Sequence, residues 1–351
     1  MMMRRVLQLI FLFSISMVQG QTELPPHPNS YVCYKTYEGI VADGKLDEVS
    51  WQQAAWTESF MDIEGPLKSQ PTQRTRTKMI WNDSTLFIGI RMEETHVWAS
   101  LTERESIIYH DNDIEIFIDP TANNHHYAEL EFNAFGTVMD LLLARPYRDS
   151  VVPSFSWNCA GMEHGISIEG TINDPSDIDT AWTIELAIPL AAISDLVYKY
   201  VLPEAGDQWR INFSRVQWIT KVENEKYVKL RQPEHNWVWS PQWTINMHQP
   251  EYWGYLQFSD NTVGTEAEIF NEDPYWNERM QLMAVYRALK TYRVNNPAYT
   301  VNLEDLTLPE YVKKEHISIE ANSEQFLVRF DMGESFMKVD HRSLLSQQWK
   351  N

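Results

Sequence analysis

Apolar and polar residues alternate along most of the chain between residues 35 and 261, and this alternation predicts short β-strands. The clearest pair covers 74–81 and 85–92, because Asn82-Asp83-Ser84 between them is typical of a hairpin turn. Further strands are predicted at 113–119, 127–135, 137–143, 166–172, 182–188, 209–218 and 252–258. Many short strands with little helix indicate an all-β fold, an antiparallel β-sandwich.

Two consecutive strands place polar side chains on the face opposite their apolar residues. Isoleucines occupy one side of 113–119, and Ala128, Leu130 and Phe132 occupy one side of the next strand. The residues on the other side are Asp113, Glu115 and Asp119 in the first strand and Glu129, Glu131 and Asn133 in the second. The sequence therefore predicts a carboxylate-bearing face that points away from the core of the sandwich.

The N-terminal segment differs from this strand-rich region. Arg4 and Arg5 precede an apolar run over 6–13, and small and polar residues follow before Gln21. This pattern predicts a signal peptide over 1–20, since the apolar run is too short to span a membrane. Residues 21–34 contain three prolines and are predicted to form a stiff leader.

Residues 262–351 differ from the strand-rich region in another way. Apolar side chains recur at helical spacing over 271–294, and β-like runs follow at 325–330 and 336–339. The sequence therefore predicts a β-sandwich over 35–261 followed by a small C-terminal extension of a helix and strands over 262–351.

The charge balance restricts the partners of the protein. The chain has 29 basic and 49 acidic side chains, for a formal charge of −20. This acidic excess disfavours binding to nucleic acid or to an anionic membrane surface. In an exported protein the two cysteines, Cys33 and Cys159, form a disulfide or remain as buried thiols, and the sequence leaves both alternatives open.

Seven separated motifs follow one another between residues 35 and 260. The first, 40–51, reads I-V-A-D-G-K-L-D-E-V-S-W, and the most specific, 109–120, reads Y-H-D-N-D-I-E-I-F-I-D-P. The others lie at 78–88, 127–133, 182–189, 206–212 and 252–254. Together they resemble the carbohydrate-binding modules of family 9, in the form found in exported bacterial family 9-like proteins. The resemblance does not include the C-terminal extension.

This resemblance implies a β-sandwich that binds sugars without cleaving them, in a cleft with aromatic walls and hydrogen-bonding side chains. At the matching positions, Tyr109 is the aromatic wall, Glu115 is the core glutamate and Asn133 is a polar contact. Two positions depart from the family pattern. Glu131 stands where family members can carry a basic sugar ligand, and Met247 stands where a second aromatic wall is expected.

Other side chains are candidates for completing a sugar site. Trp237, Trp239 and Trp243 are candidate replacements for the missing wall, although Trp237 and Trp239 are equally consistent with a cover over the C-terminal extension. Trp98 is either an exposed stacking surface or part of the core. Arg215, on the strand predicted at 209–218, is a candidate donor to sugar hydroxyls.

The same acidic strand is consistent with other chemistry. Asp113 and Asp119 are candidate oxygen ligands of Ca²⁺, the ion that the resemblance makes relevant here. Related sandwiches bind haem on this face, for which Met139, Met247 and His248 are candidates, although the C-x-x-C-H attachment motif is missing from the sequence. The chain contains no G-x-S-x-G, H-E-x-x-H or C-x-x-C motif, so the sequence gives no positive support for an enzyme.

The combined prediction is an exported protein, periplasmic or secreted, that binds carbohydrate and assists glycan breakdown by other, glycan-degrading proteins. It is expected to be monomeric or weakly associating. An interaction scaffold without sugar affinity, with the C-terminal extension docking a partner, is the remaining alternative.

Overall fold

The computed structural model describes residues 23–197 and 202–350, so the predicted signal peptide lies outside the described residues. Two short helices, α1 (Val49–Gln53) and α2 (Leu190–Ser194), accompany the strands of the sandwich. The strands β1–β14 are Ser30–Lys35, Met61–Asp62, Thr75–Trp81, Thr85–Glu93, Asp113–Asp119, Tyr127–Asn133, Val138–Leu143, Glu163–Glu169, Ala181–Pro189, Gln208–Gln217, Thr220–Glu223, Lys226–Lys229, His235–Val238 and Gly254–Thr262.

Most of these strands form one curled sheet in the order β7-β6-β5-β10-β14-β1-β3-β4-β9-β8. β13 pairs with the end of β10, and β2 pairs with β13. β11 and β12 form a separate hairpin. Among the described strands of the curled sheet, neighbours are antiparallel except at β1, which runs parallel to both β14 and β3. The predicted all-β sandwich is therefore confirmed, with one central parallel strand that the prediction did not include.

Strand β1 lies almost entirely within the segment predicted to be a leader. Tyr31 and Cys33 of this strand are buried, and β1 joins the two halves of the sheet. Its partners lie far away in sequence, and a parallel pair is not connected by a hairpin turn. The sequence around β1 therefore carries no local signal for its place in the sheet. As a result, the sandwich begins at Ser30 rather than at residue 35 as predicted.

The two halves of the curled sheet enclose a common apolar core. β5, β6 and β10 contribute Ile116, Leu130 and Phe213, while β4 and β9 contribute Ile88 and Ile184. Each side chain of this kind stabilises the fold by about 1.5–3 kcal/mol when it is fully buried. The strict alternation along these strands thus explains why one face of each half turns inward.

Both cysteines, Cys33 and Cys159, lie in this core. Their thiols are free in the described structure. Burial raises the pKa of the Cys33 thiol, and it raises the pKa of Cys159 to about 12. Of the two alternatives that the sequence left open, the structure has the buried thiols, which stay protonated and unreactive at neutral pH.

The C-terminal extension consists of one long helix and a small sheet, as predicted. Helix α3 (Trp276–Asn295) packs on the small sheet of the extension, and Met280, Met283 and Leu289 belong to the apolar core between them. Among the described residues, no helix is both long and apolar enough to span a membrane. The sheet is an antiparallel meander of β15 (Ile317–Ala321), β16 (Phe326–Asp331), β17 (Ser335–Asp340) and β18 (Leu345–Trp349).

Buried ionic groups fix this extension to the sandwich. Asp149, in the 3₁₀ turn Tyr147–Asp149, accepts hydrogen bonds from the Tyr286 hydroxyl and from Ser343 Oγ at 2.6 Å. Lys290 Nζ lies 2.9 Å from the same carboxylate. Because breaking a buried pair leaves an uncompensated charge, these contacts hold the two parts together firmly.

A second buried carboxylate, Glu251, completes the attachment. Arg148 of the same 3₁₀ turn lies 2.9 Å from one Glu251 oxygen, and Arg287 of α3 lies 3.0 Å from the other. Helix α3 of the extension therefore helps to fix the turn Tyr147–Asp149 through Glu251. This contact positions Tyr147, which borders the acidic face of the sandwich.

Candidate functional site

Strands β5 and β6 place four acidic side chains on one face of the sheet. In the antiparallel register Glu115 lies directly opposite Glu131, while Asp113 and Glu129 occupy alternate positions on either side of this pair. Oxygen atoms of Asp113, Glu115 and Glu131 all lie within 4.8 Å of one another. We refer to Asp113, Glu115, Glu129 and Glu131 as the carboxylate cluster.

The carboxylate cluster is buried, whereas the sequence suggested a face pointing away from the core. The exposed fractions of Asp113, Glu115, Glu129 and Glu131 are 0%, 8%, 5% and 2%. A second, smaller apolar group, built from strands and from distant loops, lies on this face. Its members are Ile63, Ile108, Phe117, Tyr127, Met139, Leu141, Leu143, Val238, Met247 and Trp253. The direction of the acidic side chains was predicted correctly, but their covering was not, because it comes from remote parts of the chain.

Burial makes the ionised form of these carboxyl groups unfavourable. Burial raises the pKa of Asp113, Glu129 and Glu131, and the charge of Glu115 raises the pKa of each of them further. The pKa of Glu115 itself is raised to about 7, again mainly by burial. Four such groups next to one another cannot all carry a negative charge without a compensating positive charge.

The protein supplies little of that positive charge. Within residues 23–197 and 202–350, no lysine or arginine forms an ion pair with Asp113, Glu115 or Glu131. The basic group nearest to Glu129 is His248, whose Nε2 lies 4.0 Å from Oε1. Burial lowers the pKa of His248 to about 3, so its imidazole is neutral at ordinary pH.

Several oxygens of the carboxylate cluster also lack hydrogen bonds. Oδ1 of Asp113 accepts a bond from the Val216 N–H at 3.3 Å, but Oδ2 meets no donor in the described structure. Oε2 of Glu129 and Oε2 of Glu131 are likewise buried without a partner among the described residues. A buried polar atom in this state costs about 1–3 kcal/mol, so the cluster is a costly feature for the fold.

Tyr109 lies at the edge of the carboxylate cluster and is 41% exposed. It belongs to the 3₁₀ turn Ile108–His110, and its backbone amide lowers the pKa of Glu131 by hydrogen bonding. The indole of Trp218 donates to the Tyr109 carbonyl oxygen at 2.8 Å and thereby fixes the turn. The structure therefore brings Tyr109 and Glu115, both from the motif 109–120, together with Glu131 of β6.

A second tyrosine, Tyr147, lies near the same carboxylates and is 42% exposed. Burial raises its pKa, and the charges of Glu129 and Glu131 raise it further. Its ring contacts that of His248 edge to face, with centroids 4.5 Å apart. Sequence reasoning missed Tyr147 because it lies in a short loop turn outside every motif, and only the fold brings it to this face.

Asn133 was predicted to contact sugar, but the protein itself uses its side-chain amide. Nδ2 donates to the Leu101 carbonyl at 2.8 Å and to Asp111 at 3.0 Å, and Oδ1 accepts from the backbone amides of Phe135 and Thr137. The two accepted bonds shape the turn between β6 and β7, and the two donated bonds tie this turn to Leu101 and Asp111. In this structure Asn133 is completely buried and acts as a turn-forming residue.

Arg215, Trp237 and Trp239 are buried in the main core. Arg215 points to the side of β10 opposite the carboxylate cluster, where its guanidinium pairs with Glu94 at 3.1 Å and lies 5.2 Å from the ring of Trp237. Trp239 packs among the same core residues. Trp237 and Trp239 are therefore part of the packing between the sheet halves and do not replace the missing aromatic wall, and Arg215 is likewise closed to solvent.

Trp98 and Trp243 are not among the described members of the apolar group that covers the carboxylate cluster. Trp98 is buried. Trp243 is half-buried against Gly65 and borders a cavity of about 160 Å³ that also contacts His27, Asn29 and other residues near β1. It therefore lines a different surface from Tyr109.

Of the two predicted calcium ligands, only Asp113 belongs to the carboxylate cluster. Asp119 instead accepts bonds from Thr121 and from the Asn124 N–H at 2.9 Å, which caps the loop after β5. A carboxylate used in this way shapes a turn. The structure replaces Asp119 with Glu131 as the neighbour of Asp113.

The three candidate haem ligands surround the carboxylate cluster. Met139 lies opposite Glu131 in β7, and Met247 belongs to the apolar group on this face. His248 is packed against the rings of Tyr127 and Tyr147, and its Nδ1 lies 3.0 Å from the Tyr127 hydroxyl. The imidazole is thus engaged in side-chain packing on this face.

One family of known proteins matches most of the sandwich. Residues 41–257 match the family described as carbohydrate family 9 binding domain-like. A "putative carbohydrate-binding protein" from Bacteroides uniformis is 15% identical over 66% of this chain and 100% of its own, with a TM-score of 0.49. Two structures of a family 9 carbohydrate-binding module from Caldicellulosiruptor kristjanssonii, with cellotriose and with glucose, are 14% and 13% identical, with TM-scores of 0.42 and 0.41. Both cover 68% of this chain, and the shares of their own chains are 99% and 100%.

None of the curated proteins compared with the chain matches it. The family match spans more than half of the 351 residues and includes β3 to β10 with the whole carboxylate cluster. The chain therefore belongs to the carbohydrate family 9 binding domain-like family.

Proposed function

We propose that the protein binds carbohydrate non-covalently at the edge of the carboxylate cluster where Tyr109 is exposed. The observation that carries this proposal is the half-exposed Tyr109 ring beside the buried Glu115 and Glu131, within a chain of this family. A pyranose has an apolar face that packs on an aromatic ring, and its hydroxyl groups donate hydrogen bonds to carboxylates. Both requirements are met side by side here.

The proposed site has a defined division of roles. Tyr109 is the stacking surface, and Glu115, the most exposed member of the carboxylate cluster, accepts from sugar hydroxyls. Tyr147 provides a second aromatic edge in place of the wall expected near Met247. Since Tyr147 is anchored through Asp149 to α3, we propose that the C-terminal extension fixes one side of this site.

We further propose that the protein is exported and assists other proteins in glycan breakdown. Export is supported by Arg4 and Arg5 followed by the apolar run over 6–13. Assistance by binding is supported by the family, and no catalytic motif occurs in the sequence to support hydrolysis by the chain itself. Secretion assays with and without residues 1–20 test the first part of this proposal.

A glycan panel followed by calorimetry tests the binding proposal. The parent protein is expected to bind at least one polysaccharide or oligosaccharide, and Tyr109→Ala is expected to weaken that binding at least tenfold, about 1.4 kcal/mol. Tyr37→Ala is the matched control, because Tyr37 is an exposed tyrosine far along the chain from the proposed site. Equal affinities of the parent and both variants would refute the site, and no binding across a broad panel would refute the function.

A further inference from the structure

We propose that Glu234 contacts the ligand at the entrance of the site beside Tyr109, and that its carboxylate makes the protein select uncharged glycans over glycans that contain uronic acids. This inference rests on the proposed binding of carbohydrate at Tyr109. Glu234 lies outside all seven motifs of the sequence, and only the fold brings it to this site.

The alternation of side chains along β13 places Glu234 on the same face of the sheet as the carboxylate cluster. Val238 of β13 belongs to the apolar group on this face, whereas Trp237 belongs to the main core on the other side. The ring of His235 stacks on that of Trp237, with centroids 5.7 Å apart, so His235 also lies on the core side. Because successive side chains of an extended segment alternate, Glu234 lies on the side of the cluster.

The strand register also brings Glu234 close to the turn that carries Tyr109. β10 and β13 pair as far as Gln217 and His235, so the next two residues, Trp218 and Glu234, are neighbours at the end of this ladder. Directly opposed residues of an antiparallel pair have their Cβ atoms about 5 Å apart. The Trp218 indole in turn donates to the Tyr109 carbonyl oxygen at 2.8 Å. Glu234 is therefore one residue removed from the proposed stacking surface.

The Glu234 side chain is available to a ligand. It is partly exposed, and it forms no hydrogen bond or ion pair within residues 23–197 and 202–350. Burial raises the pKa of Tyr109 and of Glu115, and the negative charge of Glu234 raises both further, in agreement with its place at the entrance. Glu115 is buried, so Glu234 is the more accessible acceptor for sugar hydroxyls on this side.

The basic residue on this side, Lys229 of β12, is already used by the protein. Its ammonium donates to the His110 carbonyl oxygen and lies 3.9 Å from the ring centroid of Trp218. Lys229 thus helps to fix the turn Ile108–His110, and the ion pairs of the described residues include none between Lys229 and Glu234. The charge of Glu234 therefore has no direct counter-charge in the protein.

This arrangement favours uncharged sugars. A sugar hydroxyl donates a hydrogen bond to the Glu234 carboxylate, whereas a sugar carboxylate at the same place meets a like charge. Salt screens such repulsion over about 10 Å at 0.1 M and about 3 Å at 1 M ionic strength. Selection against acidic glycans is therefore expected to weaken as the salt concentration rises.

Calorimetry of the full-length protein at low salt, with two matched probes, tests this proposal. The first probe is the uncharged oligosaccharide that the parent binds most tightly in the glycan panel. The second is the same oligosaccharide with one hydroxymethyl group oxidised to a carboxylate. The parent is expected to prefer the uncharged probe, and Glu234→Gln is expected to reduce this preference about threefold, the effect of one unit charge about 6 Å away in water. In 1 M NaCl the preference of the parent is expected to fall as well.

Glu225→Gln is the matched control, because it removes one exposed carboxylate at the tip of the β11–β12 hairpin, the end away from Trp218. This variant is expected to keep the preference of the parent. An unchanged preference in Glu234→Gln, a preference that 1 M NaCl does not reduce, or a parent that binds the oxidised probe as tightly as the uncharged one would overturn the proposal. Binding by the parent with a preference independent of Glu234 refutes this inference alone, whereas a panel without any ligand refutes the proposed function itself.

Discussion

The buried carboxyl of Glu115 predicts an unusual dependence of stability on pH. Its pKa is about 7 in the folded protein, compared with an ordinary value of 4.5. Below pH 4.5 the group is protonated in both the folded and the unfolded state and has no effect on stability. As the pH rises through 7, the folded protein must release a proton that the unfolded chain has already released. Stability is therefore lost between these two pH values and stays reduced above them.

The difference between the folded and unfolded pKa values sets the size of this loss of stability. At about 1.4 kcal/mol per pH unit, it corresponds to about 3 kcal/mol. Glu115→Gln keeps the size and polarity of the side chain but cannot ionise. This variant is expected to be more stable than the parent by about 3 kcal/mol at pH 8 and equally stable at pH 4.5.

Urea unfolding at pH 4.5 and at pH 8, followed by tryptophan fluorescence, measures this difference. Glu103→Gln, with an exposed side chain, controls for the loss of one negative charge and is expected to behave like the parent at both pH values. If Glu115→Gln is no more stable than the parent at pH 8, the argument that burial penalises the Glu115 carboxylate is refuted.

Two further substitutions test the structural roles assigned above. Asn133→Ala removes four hydrogen bonds that shape the turn after β6 and tie it to Leu101 and Asp111, so it is expected to lower the free energy of unfolding by about 2–4 kcal/mol. A loss in urea unfolding below about 1 kcal/mol would contradict that role. Asp149→Asn weakens the attachment of the C-terminal extension and is expected to cost about 3–5 kcal/mol in thermal unfolding, with faster proteolysis over 263–275. Burial acts to raise the pKa of Asp149, but Arg148 and other nearby donors lower it overall. The parent is therefore expected to lose the stability contributed by this carboxylate in acid, whereas Asp149→Asn has no such contribution to lose.

The strands were predictable where one face of a strand meets the core and the other does not. The range 113–119 was predicted without error, because its isoleucines alternate strictly with polar residues. β1 was missed, since Ser30–Lys35 pairs in parallel with β14 and β3 and follows a proline-rich stretch. Period-two alternation reports the direction of side chains but carries no information about partners that lie far away in sequence.

The candidate site was predictable only in part for the same reason. The motif suggested Tyr109 and Glu115 as parts of one site, and both belong to one short segment of the chain. The burial of Glu115 depends on residues as remote as Met247 and Trp253, which no local pattern connects to β5. Trp237 carries an indole that suits either a ligand or a core, and only its position between the sheet halves identifies it as core.

The most direct test of the account is a crystal structure of the protein bound to a sugar that the glycan panel identifies. The account predicts the sugar ring packed on Tyr109, with a hydroxyl oxygen about 3 Å from a Glu115 carboxylate oxygen. A sugar bound elsewhere, for example in the cavity beside Trp243, with Tyr109 free of contacts, would contradict it.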